Sequence, residues 1–238
     1  MKIALIGYGK MGKAIEEIAL GRGHEIVLKI DEHNETDFNT ENISDAAVAI
    51  EFTGPGSAFE NVMKCLRYNI PVVCGSTGWL QQWPEVTALC KQQQGALVYA
   101  SNFSVGVNIF FEVNKKLAAL MAPYPDYKIN LTEIHHTKKL DAPSGTAVSL
   151  AEQVLEKVLR KTRWVNHPSD NSNELEIISE RIDPAAGTHK VKYSSLVDDI
   201  EIIHTAHNRS GFATGAVLAA EFITGRTGIF GMKEVLGL

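Results

Sequence analysis

The chain has 238 residues, of which 45% are hydrophobic and 21% charged, and its net charge is −5. That balance fits one large or two modest globular domains and gives no footing for nucleic acid as a partner. No apolar run reaches the roughly 18–20 residues of a membrane span. The stretch Ile3–Ile6 is too short for a signal peptide and meets glycine at once. A cytoplasmic protein with no membrane partner is expected. Cys65, Cys74 and Cys90 are odd in number and lack C-x-x-C spacing, so they read as reduced thiols rather than a disulfide framework or a zinc site.

In chain order, the first hundred residues alternate between strand and helix. Lys2–Gly7 reads as a buried strand, and Lys10–Leu20 as a helix with Ile15, Ile18 and Ala19 on one face. Glu25–Ile30 is a second strand and Ala46–Phe52 a third. Ser57–Arg67 is a helix, with Ser57 as N-cap and Glu60 completing a capping box. Pro71–Cys74 is a fourth strand, a helix lies within Pro84–Gln94, and Ala96–Ala100 is a fifth strand. Such alternation predicts βαβ units and a parallel sheet, whose ligands bind at the strands' carboxyl ends.

The pattern then changes, and the domain boundary is expected near Ser104–Gly106. Val107–Met121 reads as a long helix, Lys128–His135 as a strand, Gly145–Lys161 as a helix and Trp164–Ser172 as a polar loop. Glu174–Arg181, His189–Leu196 and Ile200–His204 read as three strands with short connections, and residues 212–224 as a helix. Strands without intervening helices predict an α+β domain with a mostly antiparallel or mixed sheet. The expected fold class is α/β: a Rossmann-type domain over 1–104 and 212–238, and a substrate-binding and oligomerisation domain over 105–211.

Two segments carry the chemistry. In the first, Gly7-Tyr-Gly-Lys-Met-Gly12, a G-x-G-x-x-G pattern follows a strand and opens a helix. That is the context a dinucleotide fingerprint requires. Gly7 makes the turn, Gly9 admits the pyrophosphate and Gly12 lets helix and strand pack, while Tyr8, Lys10 and Met11 line the same turn. Asp31 ends the second strand, where a carboxylate accepts hydrogen bonds from the ribose hydroxyls of NAD and repels a 2′-phosphate. NADH is therefore favoured, although Lys10 and Lys29 keep NADPH open.

The second segment is Glu133-Ile-His-His-Thr-Lys-Lys-Leu-Asp-Ala-Pro-Ser-Gly-Thr-Ala147. Gly145 and Thr146 stand where backbone N–H groups at a helix start can cup a carboxylate, with Ser144 either part of that cradle or simply an N-cap. His135 and His136 are adjacent on a strand and should face opposite ways. One suits proton transfer near neutral pH and the other substrate contact. Lys138 and Lys139 add positive charge. No carboxylate–histidine set here has recognised metal-ligand spacing, so no metal is expected.

The pattern E-x-H-H-x-x-K-x-D-A-P-S-G-T-A resembles the signature of the dihydrodipicolinate reductase (4-hydroxy-tetrahydrodipicolinate reductase) family. Glu51-Phe-Thr-Gly-Pro55, Cys74-Gly-Ser-Thr-Gly78, Ser101-Asn-Phe-Ser-Val-Gly-Val-Asn108, His204-x-Ala-x-x-Arg209 and Phe212-Ala-x-Gly-Ala216 agree in order. The resemblance implies NADH- or NADPH-dependent reduction of 4-hydroxy-tetrahydrodipicolinate, a cyclic dicarboxylate, in the diaminopimelate route of lysine biosynthesis. It makes His135 the acid/base and Lys139 the proton-donating lysine. His136, Ser144, Gly145 and Thr146 fall on substrate positions. Gly75, Ser76 and Thr77, and Ala100, Ser101, Asn102 and Phe103, fall on cofactor-contacting strand ends. It also implies a C-terminal helix on the nucleotide domain and a homotetramer built through the second domain's sheet. Independently of the resemblance, closure of the domains over the ligands is expected, with hinges near Ser104 and Arg209. Tyr8 replaces a small residue, Glu51 the usual Asp and Ser76 the usual Thr, which bears on cofactor preference. The alternatives are a related oxidoreductase acting on another amino-dicarboxylate or an aldehyde, and a non-catalytic dinucleotide sensor.

Overall fold

The computed structural model describes residues 1–208 and 210–238. Arg209, expected in a motif and near a hinge, lies outside the described residues. The chain falls into two compact units, residues 1–108 with 210–238, and residues 109–209.

The first unit is built on β1 (Lys2–Ile6), α1 (Lys10–Gly21), β2 (Glu25–Ile30), α2 (Thr40–Ile43), β3 (Val48–Glu51), α3 (Ala58–Arg67), β4 (Val72–Cys74), α4 (Trp83–Gln92) and β5 (Ala96–Tyr99). The next elements are α5 (Val105–Met121), β6 (Lys128–His135), α6 (Gly145–Lys157), β7 (Arg163–Val165), β8 (Glu174–Arg181), β9 (Gly187–Ser194) and β10 (Asp199–Ala206). Finally α7 (Ser210–Ile223), β11 (Gly228–Phe230) and α8 (Met232–Leu236) return to the first unit. The boundary falls inside α5, after Asn108. The change of pattern near Ser104 marks where that helix begins, not where contacts divide.

Six parallel strands, in the order β11-β5-β4-β3-β1-β2, form the first sheet. Both faces of it are covered, which is why β1 is apolar and buried from Ile3 to Ile6. Ile3 and Leu5 pack with Ile15 of α1 and Ala216 and Ala220 of α7, whereas Ala4 and Ile6 pack with Val62 and Leu66 of α3 and Val86 of α4. The sixth strand, β11, went unpredicted because three residues carry no readable period. Ser57 occupies the position before α3, but its side chain makes no cap bond. Its hydroxyl donates to Thr53 Oγ1 at 2.9 Å instead.

In the second unit, a five-stranded sheet runs β10-β9-β6-β8-β7. Two of its pairings are antiparallel and two parallel, so the sheet is mixed. The chain from β8 to β9 steps over β6, which sequence order conceals. Trp164 and Val165, expected in a loop, form part of the edge strand β7. The helix expected to reach Lys161 stops at Lys157, with buried Val158 beyond it. Along β6 the alternate residues Ile129, Leu131, Glu133 and His135 are buried. The first two join an apolar cluster with Ala147, Leu150, Ala151 and Val154 of α6. Glu133 and His135 continue the same face to the strand's carboxyl end, beside the start of α6.

Candidate active site

The first unit presents a cavity of about 650 Å³ at the carboxyl edge of its sheet, lined among others by Gly7, Tyr8, Gly9, Asp31, Thr53 and Lys64. Gly7 has φ +100°, and a Cβ there would sit 2.2 Å from the Phe52 carbonyl oxygen. A Cβ on Gly12 would come within 2.4 Å of the Gly7 carbonyl oxygen. At Gly9 a Cβ would meet nothing within 4 Å, so that backbone is bare towards whatever enters. Two glycines are thus held by packing, and one is open to a ligand.

Around this turn, Tyr8 donates from its hydroxyl to Glu16, and Lys29 Nζ lies 4.8 Å from its ring centroid. Lys10 is exposed and Met11 packs against the core. Asp31 is half-buried, and its Oδ1 accepts from the His33 N–H at 2.8 Å. Ser76 Oγ accepts from the Thr53 N–H at 2.9 Å, while Thr77 and Ser101 are exposed. Asn102 Oδ1 accepts from the Ser104 N–H at 2.8 Å. Phe103 is buried against Phe52, with centroids 5.5 Å apart, so its ring belongs to the core. Glu51, fully buried, accepts from Thr53 and, at 3.0 Å, from the Cys74 thiol.

In the second unit the decisive residues meet across the strands. Glu133 pairs with His189 of β9 in register, and His189 with His204 of β10. Glu133 is completely buried. Its Oε1 accepts from the Ser144 N–H at 3.1 Å and from Arg181 Nη2 at 2.9 Å. Its Oε2 lies 2.9 Å from His135 Nδ1, off the line of a hydrogen bond, so both atoms remain without a hydrogen-bond partner. Burial pushes the Glu133 carboxyl up, but His135, Ser144 and Arg181 together outweigh it and hold it far below the usual carboxylate range.

His135 is nine-tenths buried, and its ring meets that of His189 edge-on at 5.1 Å. A Cβ on Gly187 would lie 3.0 Å from His135 Nε2; the glycine makes room for the imidazole. Burial, reinforced by His135, pushes His189 down to about 3, so it stays neutral. His136, half-buried, is separated from this row by the strand's alternation, and its Nδ1 has no hydrogen-bond partner. Lys139 is held by both oxygens of Asp141, at 2.7 and 2.9 Å.

Ser144 is a true N-cap: its hydroxyl accepts from the Ala147 N–H at 3.2 Å and meets His189 Nε2 at 3.1 Å. Gly145 beside it is exposed, and a Cβ there would meet nothing within 4 Å. The start of α6 is therefore bare at Gly145, with Thr146 next to it, as an anion cradle requires. Arg181, His189, Gly187 and Asp141 were not singled out from the sequence. The first three lie on other strands, and only register brings them to Glu133 and His135. The carboxylate–histidine set that spacing failed to reveal is Glu133, His135 and His189.

A fully parallel, doubly covered sheet with a glycine turn, followed by a mixed-sheet unit with a buried row of carboxylate and imidazoles, fits a Rossmann-type oxidoreductase. Two family models match: "Dihydrodipicolinate reductase, N-terminus" over residues 1–103 and "Dihydrodipicolinate reductase, C-terminus" over residues 106–236. A 4-hydroxy-tetrahydrodipicolinate reductase from Christiangramia forsetii is 49% identical over 237 residues, 99% of this chain and 98% of that protein. One from Methanoregula boonei is 33% identical, covering 100% of this chain and 98% of that protein. The chain belongs to the dihydrodipicolinate reductase family. Its fold is shared with a dipicolinate-bound dihydrodipicolinate reductase from Paenisporosarcina, at TM-score 0.78, 24% identity and 98% coverage of each chain. A probable dehydrogenase from Thermotoga maritima shares it more distantly, at TM-score 0.56, 10% identity and coverage of 99% of this chain and 92% of that one.

Proposed function

We propose that the protein reduces 4-hydroxy-tetrahydrodipicolinate to tetrahydrodipicolinate with a nicotinamide cofactor, serving the diaminopimelate route of lysine biosynthesis. The observation that carries this reading is His135, buried with its Nδ1 2.9 Å from the Glu133 carboxylate, in the same unit as the bare start of α6. Gly145 and Thr146 receive a substrate carboxylate, His136 contacts the ring substituents, and Ser144 fixes the turn. The reaction takes in one hydride and one proton and releases the 4-hydroxyl as water. His135 or Lys139 supplies the proton; Asp141 holds the Lys139 ammonium in place.

The cofactor binds along the Gly7–Gly12 turn and the strand ends at Gly75–Thr77 and Ala100–Phe103. NADH is preferred: the cavity beside Asp31 also carries Glu32, Glu35 and Glu60 against a single lysine, Lys64, a poor setting for a 2′-phosphate. Assembly into a homotetramer through the second unit's sheet is supported by the exposed apolar residues Leu196, Val197 and Ile203 on and beside β10. Among the described residues, no helix is long and apolar enough to cross a membrane.

The test is a coupled assay with freshly generated substrate, following oxidation of NADH and NADPH separately. Turnover faster with NADH is expected. Activity on amino-dicarboxylates or aldehydes with none on 4-hydroxy-tetrahydrodipicolinate would overturn the reading, and NADH binding without any turnover would make the protein a sensor.

A further inference from the structure

Most buried polar atoms in folded proteins find a partner, so unpartnered ones that face each other call for an explanation. Glu133 Oε2 and His135 Nδ1 are such a pair: they lie 2.9 Å apart and neither has a hydrogen-bond partner. His189 Nε2 lies 4.0 Å from the same Oε2. One ligand atom from each of these three buried residues lies within 4.8 Å of the others. We propose that Glu133, His135 and His189 form a binding site for a divalent transition metal of the zinc, cobalt or nickel type, and that its occupation inhibits the enzyme.

The donor set selects the class of ion. Two imidazoles and one carboxylate suit zinc and its neighbours, whereas calcium and magnesium need a shell of oxygens that is not present. Ligand atoms about 2.0–2.1 Å from a tetrahedral ion stand about 3.3 Å from one another. Two of the three separations, 2.9 and 4.0 Å, straddle that value and the third lies within 4.8 Å, so side-chain shifts of about 1–2 Å would seat the ion. All three residues stand on paired strands, Glu133 directly opposite His189 and His135 two positions along β6, which fixes their backbones in advance. Arg181 and the Ser144 N–H occupy Oε1, leaving Oε2 as the atom to bind. Ser144 Oγ, 3.1 Å from His189 Nε2, stands beside the fourth position. The charge of Arg181 makes the site weaker than a closed structural zinc site. A bound ion takes His135 Nδ1 and draws Oε2 off the imidazole, so the acid/base is immobilised. The inhibition rests on the proposed reaction; the binding does not.

Titration of the full-length, chelator-treated protein with Co²⁺, followed by visible absorption and calorimetry, tests the binding. One ion per chain with an intense low-coordinate band is expected, with Zn²⁺ displacing it and lowering turnover until a chelator restores it. His189→Gln should weaken Co²⁺ binding more than about a hundredfold, beyond the loss usual for a residue that only supports a ligand. His136→Gln should bind as wild type. Anomalous scattering from a zinc-soaked wild-type crystal, which needs no variant, should give a peak about 2.0–2.2 Å from all three residues. No stoichiometric binding, a peak elsewhere, or loss of binding in His136→Gln but not in His189→Gln would overturn the proposal. Lack of turnover on 4-hydroxy-tetrahydrodipicolinate alongside the Co²⁺ band would sink the proposed reaction and leave the site standing.

Discussion

The two units prepare for their ligands by opposite means. The first does it with backbone: glycines, strand ends and a helix start, with buried apolar clusters on both faces of the sheet. The second does it with buried ionisable side chains, spending part of its interior on Glu133, His135 and His189. A backbone site is damaged by adding atoms and a side-chain site by removing them. The first kind tolerates change in sequence around it, whereas the second depends on every member being present.

The largest effect should come from removing the two side chains proposed to carry the proton in the second unit. His135→Ala and Lys139→Ala should each lower kcat by roughly 10²–10⁴-fold, the usual worth of a positioned acid or base. NADH binding, measured by fluorescence, should persist because the first unit is untouched. Wild-type turnover in both variants would remove these residues from the mechanism, and unequal losses would show which one delivers the proton.

Glu133→Gln should come next, and in stability as well as rate. It leaves Arg181, whose side chain is 20% exposed, facing a neutral amide. Breaking a buried pair from one side costs about 3–5 kcal/mol, and the partial exposure of Arg181 places the cost at the lower end. Urea unfolding would measure it; a change under about 1 kcal/mol would mean the pair is balanced by its own desolvation.

These two experiments touch residues of unequal legibility. The glycine turn, Asp31 and the His135–Thr146 segment could be read because each is contiguous and sits where a strand or helix pattern changes. The parallel sheet could be read for the same reason, as β1 through β5 alternate with helices. His189 and Arg181 could not. Their link to Glu133 exists only through the register of β9 and β8 on β6, and periodicity says which face a residue takes, not which residue stands opposite. The short edge strands β7 and β11 escaped for a related reason: three residues acquire their structure from the neighbour they pair with.

Acid should separate the units further. His189 is pushed from 6.5 down to about 3 by burial, and His204 is lowered by the same cause. A base whose pKa is lower in the folded state binds fewer protons there than when unfolded, so stability falls as pH drops below 6.5. Glu133 adds to the loss below its ordinary value of 4.5. In the first unit, Glu16 and Glu221 are lowered from 4.5 and lose their contribution only below that value. Between these limits the second unit should weaken first, with His189 alone contributing up to about 3 kcal/mol at roughly 1.4 kcal/mol per pH unit. Hydrogen exchange resolved by segment would detect it; uniform loosening of both units would contradict it.

Within the first unit, Gly7 and Gly9 provide an internal contrast. Gly7→Ala forces a Cβ to within 2.2 Å of the Phe52 carbonyl oxygen at φ +100°, and should cost about 1–3 kcal/mol of stability. Gly9→Ala meets no protein atom within 4 Å. It should unfold like wild type while raising KM for the cofactor. Equal melting behaviour in the two variants would erase the distinction between a glycine needed for folding and one needed for the ligand.

The smallest effect concerns which cofactor the backbone site accepts. Asp31 stands half-buried at the end of β2, and part of its carboxylate is already engaged with the His33 N–H. Asp31→Ser removes the charge that repels a 2′-phosphate and keeps a group able to bond the ribose. Glu32, Glu35 and Glu60 remain around the same cavity, so the gain is limited by their repulsion. The ratio of kcat/KM for NADPH over NADH should rise about tenfold, or about 1.4 kcal/mol. Most of that change should come from loss of NADH efficiency rather than gain with NADPH. If the ratio stays fixed while both efficiencies fall together, Asp31 merely holds its turn, and preference resides in the remaining acidic lining of the cavity.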